Sequence, residues 1–468
     1  MAVSPLSLIR QSPRQHGWAW YLIPLNACGN GFGLYVPLYL LQLGGSVIEV
    51  ALAAFLTGIA NTIGSFVWGK LIDSFGWRAT AVMISALSTL SISIITYFVS
   101  DISSVTALWT LLGFLTAGGG PATNLLIMQR SRREDWSDTF SWTSLISNGG
   151  IVIGMVVGFL WLAYSNDVHS YALACSLMSA SAAAIVYPVF KRERAELRQR
   201  AASSAQARAG MLQSTLRSIR NTALTSSALL SSITSAFWSS GKDAAGRHKP
   251  LHNDFLSNPV NKKQLLFFAG VGFFFLSGNL FYTPYTPYLK ANGISDSQVF
   301  LAYTVLTVSK VLFLPFNSRI VAAAGGEQKM AKLAYIPRTA GTAVAIVGAL
   351  FAIGNPNLIF DLTLVAFVSV DVAFSIWSIT TTSSLMQMVP SGKAGKIFGI
   401  NQAVTGLGLV SGSIAGGETA SQFGYPATFM LAIAALAVSV TLVSSSFRKA
   451  AAPLPRPEIA AKEVRRAG

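Results

Sequence analysis

Two charged side chains stand in long apolar surroundings, Lys310 and Asp371. By this reading they are the only clear charges in the middle of any apolar run. Each lies thirteen residues into its run, counted from Ser297 and from Leu358, or roughly 20 Å along an ideal helix. That puts both near the midplane of a bilayer, where an isolated charge costs at least about 2.5–3.5 kcal/mol. Tyr303, Thr307 and Lys310 share one helical face, and Asp371, Ser375, Ser378 and Thr382 share another. Two chemistries fit. In one, Asp371 takes up a proton or a cationic group and releases Lys310. In the other, the two form a salt bridge that locks two helices.

Further polar side chains interrupt other apolar runs. Asn26 and Asn30 lie one turn apart, on the face that later reaches Pro37. Thr123 and Asn124 follow the Gly118-Gly119-Gly120-Pro121 break. Asn279, Tyr282, Thr283, Tyr285, Thr286 and Tyr288 occupy a run loosened by Pro284 and Pro287. Each asparagine serves equally as interhelical glue or as a substrate contact, and Tyr288 reads as a belt residue at the membrane surface. Enzyme chemistry is not supported. His16, His169, His248 and His252 have no metal-ligand spacing, Cys28 and Cys175 sit inside apolar runs, and no phosphate-binding P-loop occurs. We therefore expect no catalytic residue, no metal and no cofactor.

The elements that must position these residues follow from composition. Of 468 residues, 52% are apolar and only 11% charged, and the mean hydropathy is +0.52. A soluble domain carries roughly 25% charged residues. Apolar runs at 18–43, 47–69, 79–99, 105–128, 139–163 and 168–190 precede a polar gap. Six more follow at 265–289, 297–323, 331–353, 358–389, 397–417 and 425–447. Most are long enough to cross a membrane as helices, which need roughly 20 residues. The expected fold is thus all-α, twelve transmembrane helices in two groups of six. The expected divisions are an N-terminal arm (1–17), a first bundle (18–190), a central loop (191–263), a second bundle (264–447) and a basic tail (448–468).

Basic residues set the orientation. The central segment has thirteen Lys or Arg against four Asp or Glu, more than half of the chain's net +16. Arg10 and Arg14 lie in the arm, Lys70 and Arg78 in the second connection, and Arg130, Arg132 and Arg133 in the fourth. Arg319, Lys329, Lys332 and Arg338 lie in the eighth, and Lys393 and Lys396 in the tenth. Opposite connections hold almost none. This positive-inside pattern predicts cytoplasmic termini and a cytoplasmic central loop. Residues 211–238 read as a semi-apolar helix on the membrane face. The basic charge is a topology signal and a lipid-headgroup surface; no nucleic-acid-binding module accompanies it.

The halves echo each other. Phe140, Gly150, Gly154 and Gly158 recur 258 residues later as Phe398, Gly408, Gly412 and Gly416. Glycines four apart line one helix face and let backbones approach. The second connection reads Gly69-Lys-Leu-Ile-Asp73-Ser-Phe-Gly76-Trp-Arg78. This resembles the signature loop between spans 2 and 3 of the major facilitator superfamily, with Ser74 where a basic residue usually stands. The second-half counterpart, Asn317 to Lys329, is eroded, with Val321 at the Asp position. The drug-antiporter pattern of span 5 is missing, since Met155 follows Gly154 and Phe159 follows Gly158.

The resemblance implies a secondary active transporter for a small solute, working by alternating access between two bundles around a midplane site. It implies that spans 1, 4, 7 and 10 line the cavity, which makes Asn26, Asn30, Asn124, Asn279 and Tyr282 the lining candidates beside Lys310, Asp371, Ser375 and Ser378. Proton coupling is left open. The expected partners are a small-molecule substrate and the lipid bilayer of the cell membrane, with the chain as a monomer. A non-transporting receptor on the same bundle is the competing reading.

Overall fold

The computed structural model describes residues 17–75, 77–130, 136–188, 191, 262–313, 327–387 and 394–447. The expectations for the N-terminal arm before Gly17, for Gly76, for the eroded stretch up to 326, for most of the central loop with its 211–238 helix, and for the tail lie outside these residues. The side chains of Asp73 and Asn124 do so too.

A 3-10 turn, Gly17–Tyr21, leads into α1 (Leu22–Gln42). The first half continues with α2 (Val47–Phe75), α3 (Arg78–Tyr97), α4 (Ile102–Thr116), α5 (Gly119–Arg130), α6 (Trp136–Ser165) and α7 (Tyr171–Pro188). The second half holds α8 (Lys262–Ala291), α9 (Asp296–Phe313), α10 (Glu327–Leu333), α11 (Tyr335–Phe351), α12 (Pro356–Gln387) and α13 (Ala394–Phe447). The α4/α5 and α10/α11 pairs each make one broken span, and α13 is two spans meeting at Gly424. There φ is 81° and ψ 169°, a backbone open only to a residue without Cβ. Among the described residues this lays out twelve spans, counting each broken pair once and α13 twice. By length and apolarity alone, nine candidates stand out among the described residues. The longest of these is the double span; α1 and α9 are diluted by Asn, Gly, Ser and Lys.

The turns at one end of the molecule carry the repeat again. Ser46 begins α2 with a reciprocal cap: its N–H donates to Glu49 Oε2 at 2.6 Å, and the Glu49 N–H donates to Ser46 Oγ at 3.4 Å. Ser295 does the same for α9 with Gln298, at 3.1 and 3.3 Å. Asp101 caps α4 through the Ser104 N–H at 2.9 Å, and Asn355 caps α12 through the Leu358 N–H at 3.2 Å. Spans 2 and 8, and spans 4 and 10, thus start with matched chemistry.

The glycine stripes dock equivalent helices. On α6, a Cβ at Gly150 would lie 2.5 Å from the Ile23 carbonyl oxygen of α1, and one at Gly154 would strike Ala27. On α13, Gly408 and Gly412 press on Gly272 and Leu276 of α8. Between the halves, α2 packs on α13 and α6 on α9.

The core is asymmetric along the bundle. Towards the short turns one apolar cluster joins both halves, with Tyr35, Tyr171, Phe300, Phe367 and Phe429 in it. Tyr171 meets Phe300 edge to face at 5.1 Å. Tyr288, expected as a belt residue, is buried in this cluster, 5.2 Å from Tyr425. The prolines at 284 and 287 leave α8 helical and its end covered by α13, so its ring packs inward. Towards the opposite end the core divides. One cluster, around Trp68, Val82 and Leu126, belongs to the first half. The other, around Phe274, Tyr335 and Trp377, belongs to the second.

Candidate functional site

Between the halves, at mid-depth, lies a cavity of about 420 Å³. The first half contributes Asn30, Pro37, Trp109 and Met155; the second contributes Asn279, Tyr282, Thr286, Tyr303, Lys310 and Asp371, among others. It shares Gly29 and Trp109 with a second hollow of about 430 Å³ inside the first half, lined by Asn26, Asn61, Thr89 and Thr123. A larger groove of about 800 Å³ runs between α2 and α4. Its walls include Leu52, Leu56, Leu111 and Phe114, and Leu52 and Leu111 are exposed, so it faces lipid.

The predicted residues separate by role. Asn279 reaches across to α13, its Nδ2 donating to the Leu409 carbonyl at 2.9 Å and to Ser413 Oγ at 2.8 Å. It therefore binds two helices together while lining the cavity. Asn26 and Asn30 donate to the carbonyls of Leu22 and Asn26, at 2.8 and 3.1 Å. These bonds stay within α1 and leave each amide oxygen available. Ser375 is fully buried, and Ser378 Oγ donates to the Ser375 carbonyl at 3.1 Å. Neither is brought to the cavity wall. In the signature loop, Gly69 is half-buried with open space around it. Arg78 opens α3 with its Nε buried and without a hydrogen-bond partner.

Lys310 and Asp371 do line one cavity, yet they do not close into a salt bridge; among the described residues the ion pair is Lys290 with Asp296. The Lys310 ammonium instead stands 5.3 Å from the Phe374 ring centre. Asp371 is 5% exposed, and its Oδ2 is buried without a hydrogen-bond partner.

A third charge lies nearby. The sequence pattern places Arg338 with the basic residues of the eighth connection and leaves Lys310 and Asp371 as the only midspan charges. The structure corrects both readings. Arg338 sits in α11, 2% exposed, eleven residues from Glu327 and thirteen from Phe351. At 1.5 Å per residue that is roughly 16 and 20 Å, which is midspan. Its guanidinium lies 4.5 Å over the Phe274 ring and interacts with Tyr282 and Asp371. Nε and Nη1 have no hydrogen-bond partner. A Cβ at Gly278 would stand 3.3 Å from Nη2, so the missing side chain there makes room for the cation.

A rigid frame holds the arginine. Trp377 stacks on Phe274 at 3.6 Å and donates from Nε1 to the Tyr335 hydroxyl at 3.2 Å. That hydroxyl lies 2.8 Å from Ser439 Oγ, which donates to the Gly270 carbonyl at 2.6 Å. Four helices are tied together one turn from Arg338. The signal was present in the sequence, since residue 338 lies inside the apolar run 331–353; the lysines before it disguised it.

A family model, Major Facilitator Superfamily, matches residues 25–404. The chain belongs to this superfamily. It is an integral membrane protein of a family of transporters that carry small molecules across membranes. Solved superfamily structures share its fold at low identity. The nucleoside transporter NupG superposes with a TM-score of 0.65 at 12% identity, covering 93% of this chain and 99% of that one. The peptide transporter POT in complex with sulfate gives 0.65 at 12%, over 92% and 94%. A POT family transporter in complex with 5-aminolevulinic acid gives 0.63 at 12%, over 92% and 96%. No curated protein sequence matches the chain.

Proposed function

We propose that this superfamily member is a secondary active transporter that moves a small solute through the cavity between its halves by alternating access. The observation that carries this is the asymmetric core: one apolar cluster across both halves at the short-turn end, and separate clusters at the other. Two bodies that each keep their own core at one end can part there without exposing the interior of either. The cavity lies at the level where the joined cluster ends. The positive-inside pattern makes the short-turn end external, so this conformation is closed to the outside. The residue 191–263 loop and both termini are then cytoplasmic, the bundles are 18–190 and 264–447, and the chain acts as a monomer in the cell membrane. Asp371 is the side chain suited to proton coupling.

The test is trans-stimulated uptake of labelled solutes into proteoliposomes, with and without an imposed proton gradient. Uptake that saturates and collapses with the gradient is the expected result. Binding of solutes with no flux in either direction would leave a receptor.

A further inference from the structure

The two charges on the cavity wall cancel, but a third charge stands behind them. The cavity's described walls, together with those of the hollow that shares Gly29 and Trp109, carry two charged residues, Lys310 and Asp371. Arg338 stands behind the wall, buried against Phe274, and both Lys310 and Arg338 act electrostatically on Asp371. A guanidinium does not deprotonate in a protein, so Asp371 already faces one fixed counter-charge. Lys310 faces the ring of Phe374 and lines the cavity. With Asp371 ionised the cluster sums to one excess positive charge, in a medium where an uncompensated charge is costly.

Accessibility separates the two wall charges further. Asp371 is 5% exposed and buries Oδ2, so it offers little surface to a solute's amine. Lys310 is only half-buried. Tyr303, Thr307 and Trp109 line the same cavity and supply two aromatic faces.

We infer that the central cavity takes a small organic monoanion, a carboxylate on a planar or apolar body, with Lys310 as the anion anchor and Arg338 as the fixed cation that offsets Asp371. The solute supplies the negative charge the cluster lacks. A neutral nucleoside leaves that charge unmet, and a simple amine adds to it. This inference deepens the transport reading by naming the substrate class, but its binding arm does not need transport to be true.

The experiment uses the purified full chain and matched probes. Benzoate and salicylate are each compared with a neutral analogue of the same skeleton and with benzylamine. Thermal stabilisation and Trp fluorescence titration are the readouts. At least one anion is expected to stabilise the protein while its neutral analogue and benzylamine do not. Lys310→Met should weaken that anion at least about tenfold, the loss expected for a charge-assisted hydrogen bond. Asp371→Asn, which raises the excess charge, should strengthen it, and weaker anion binding in that variant would count against the inference. No shift with any anion, preference for benzylamine, or anion binding that survives Lys310→Met would each overturn the inference. Flux measurements separate the two readings: anion binding without flux removes transport and leaves the anion site. Coupled uptake of amines in preference to acids does the reverse.

Discussion

At the residue scale, the midspan triad invites two tests. Arg338 and Asp371 are both buried while Lys310 is half-buried at the cavity, so losing the arginine leaves the carboxylate without its buried counter-charge, at a cost of about 3–5 kcal/mol. Arg338→Leu should therefore lower the melting temperature sharply, and Arg338→Leu combined with Asp371→Leu should recover much of the loss. A double variant no more stable than the single one would mean that the arginine is held by Phe274 and Tyr282 alone. Asp371→Asn tests function instead. Gradient-driven uptake should fail while folded protein still accumulates. If uptake stays coupled and only thermal stability falls, the carboxylate is structural. The triad was two-thirds legible in the sequence. Lys310 and Asp371 stood out because nothing charged lies near them along the chain. Arg338 did not, because Lys329 and Lys332 extend the basic run to its edge.

At the element scale, the stripes on α6 and α13 are selective, and neighbouring glycines give the control. Gly150 presses on the Ile23 backbone, while a Cβ at Gly149 would meet nothing within 4 Å. Gly150→Ala should destabilise the first bundle. Gly149→Ala should be neutral or gain up to about 1 kcal/mol of helix propensity. Equal melting temperatures for the two variants would show that the α1–α6 contact does not depend on close approach. The matched caps are weaker parts: Ser46→Ala and Ser295→Ala should each cost about 1 kcal/mol, read by chemical denaturation. The glycine repeat was visible as a fixed offset. The Ser-x-x-Glu and Ser-x-x-Gln caps were equally present but too short to be noticed without knowing that two helices start there.

At the scale of the whole molecule, the halves meet tightly near the short turns, where a Cβ at Gly417 would strike Ala51. In a chain whose two native cysteines are replaced, Gly58→Cys with Val410→Cys, whose Cβ atoms would stand 3.9 Å apart, should cross-link across the halves. The cross-link should block uptake, and reductant should restore it. Undiminished transport by the cross-linked protein would remove the rocking motion. Orientation is checked separately. A cysteine at residue 250 should be shielded from impermeant reagents in intact cells, and one at Gly44 should be labelled. Labelling at 250 would reverse the assignment of inside and outside.

The helices and their order were determined by the sequence alone, for a physical reason. In lipid each backbone polar group must be satisfied within its own segment, so an apolar run of sufficient length is a helix whatever it packs against. The same holds for the basic residues, whose sidedness is read run by run. What the tertiary structure decided is which side chains of distant helices share one space. It placed Asn279 against α13 and took Ser375 and Ser378 away from the cavity. It also left Lys310 and Asp371 short of an ion pair and brought Arg338 of α11 into their company. Those outcomes depend on the rotation of each helix about its axis. Rotation is set by close contacts such as Gly278 beside Arg338 and Trp377 on Phe274, between residues that no local pattern in the chain connects.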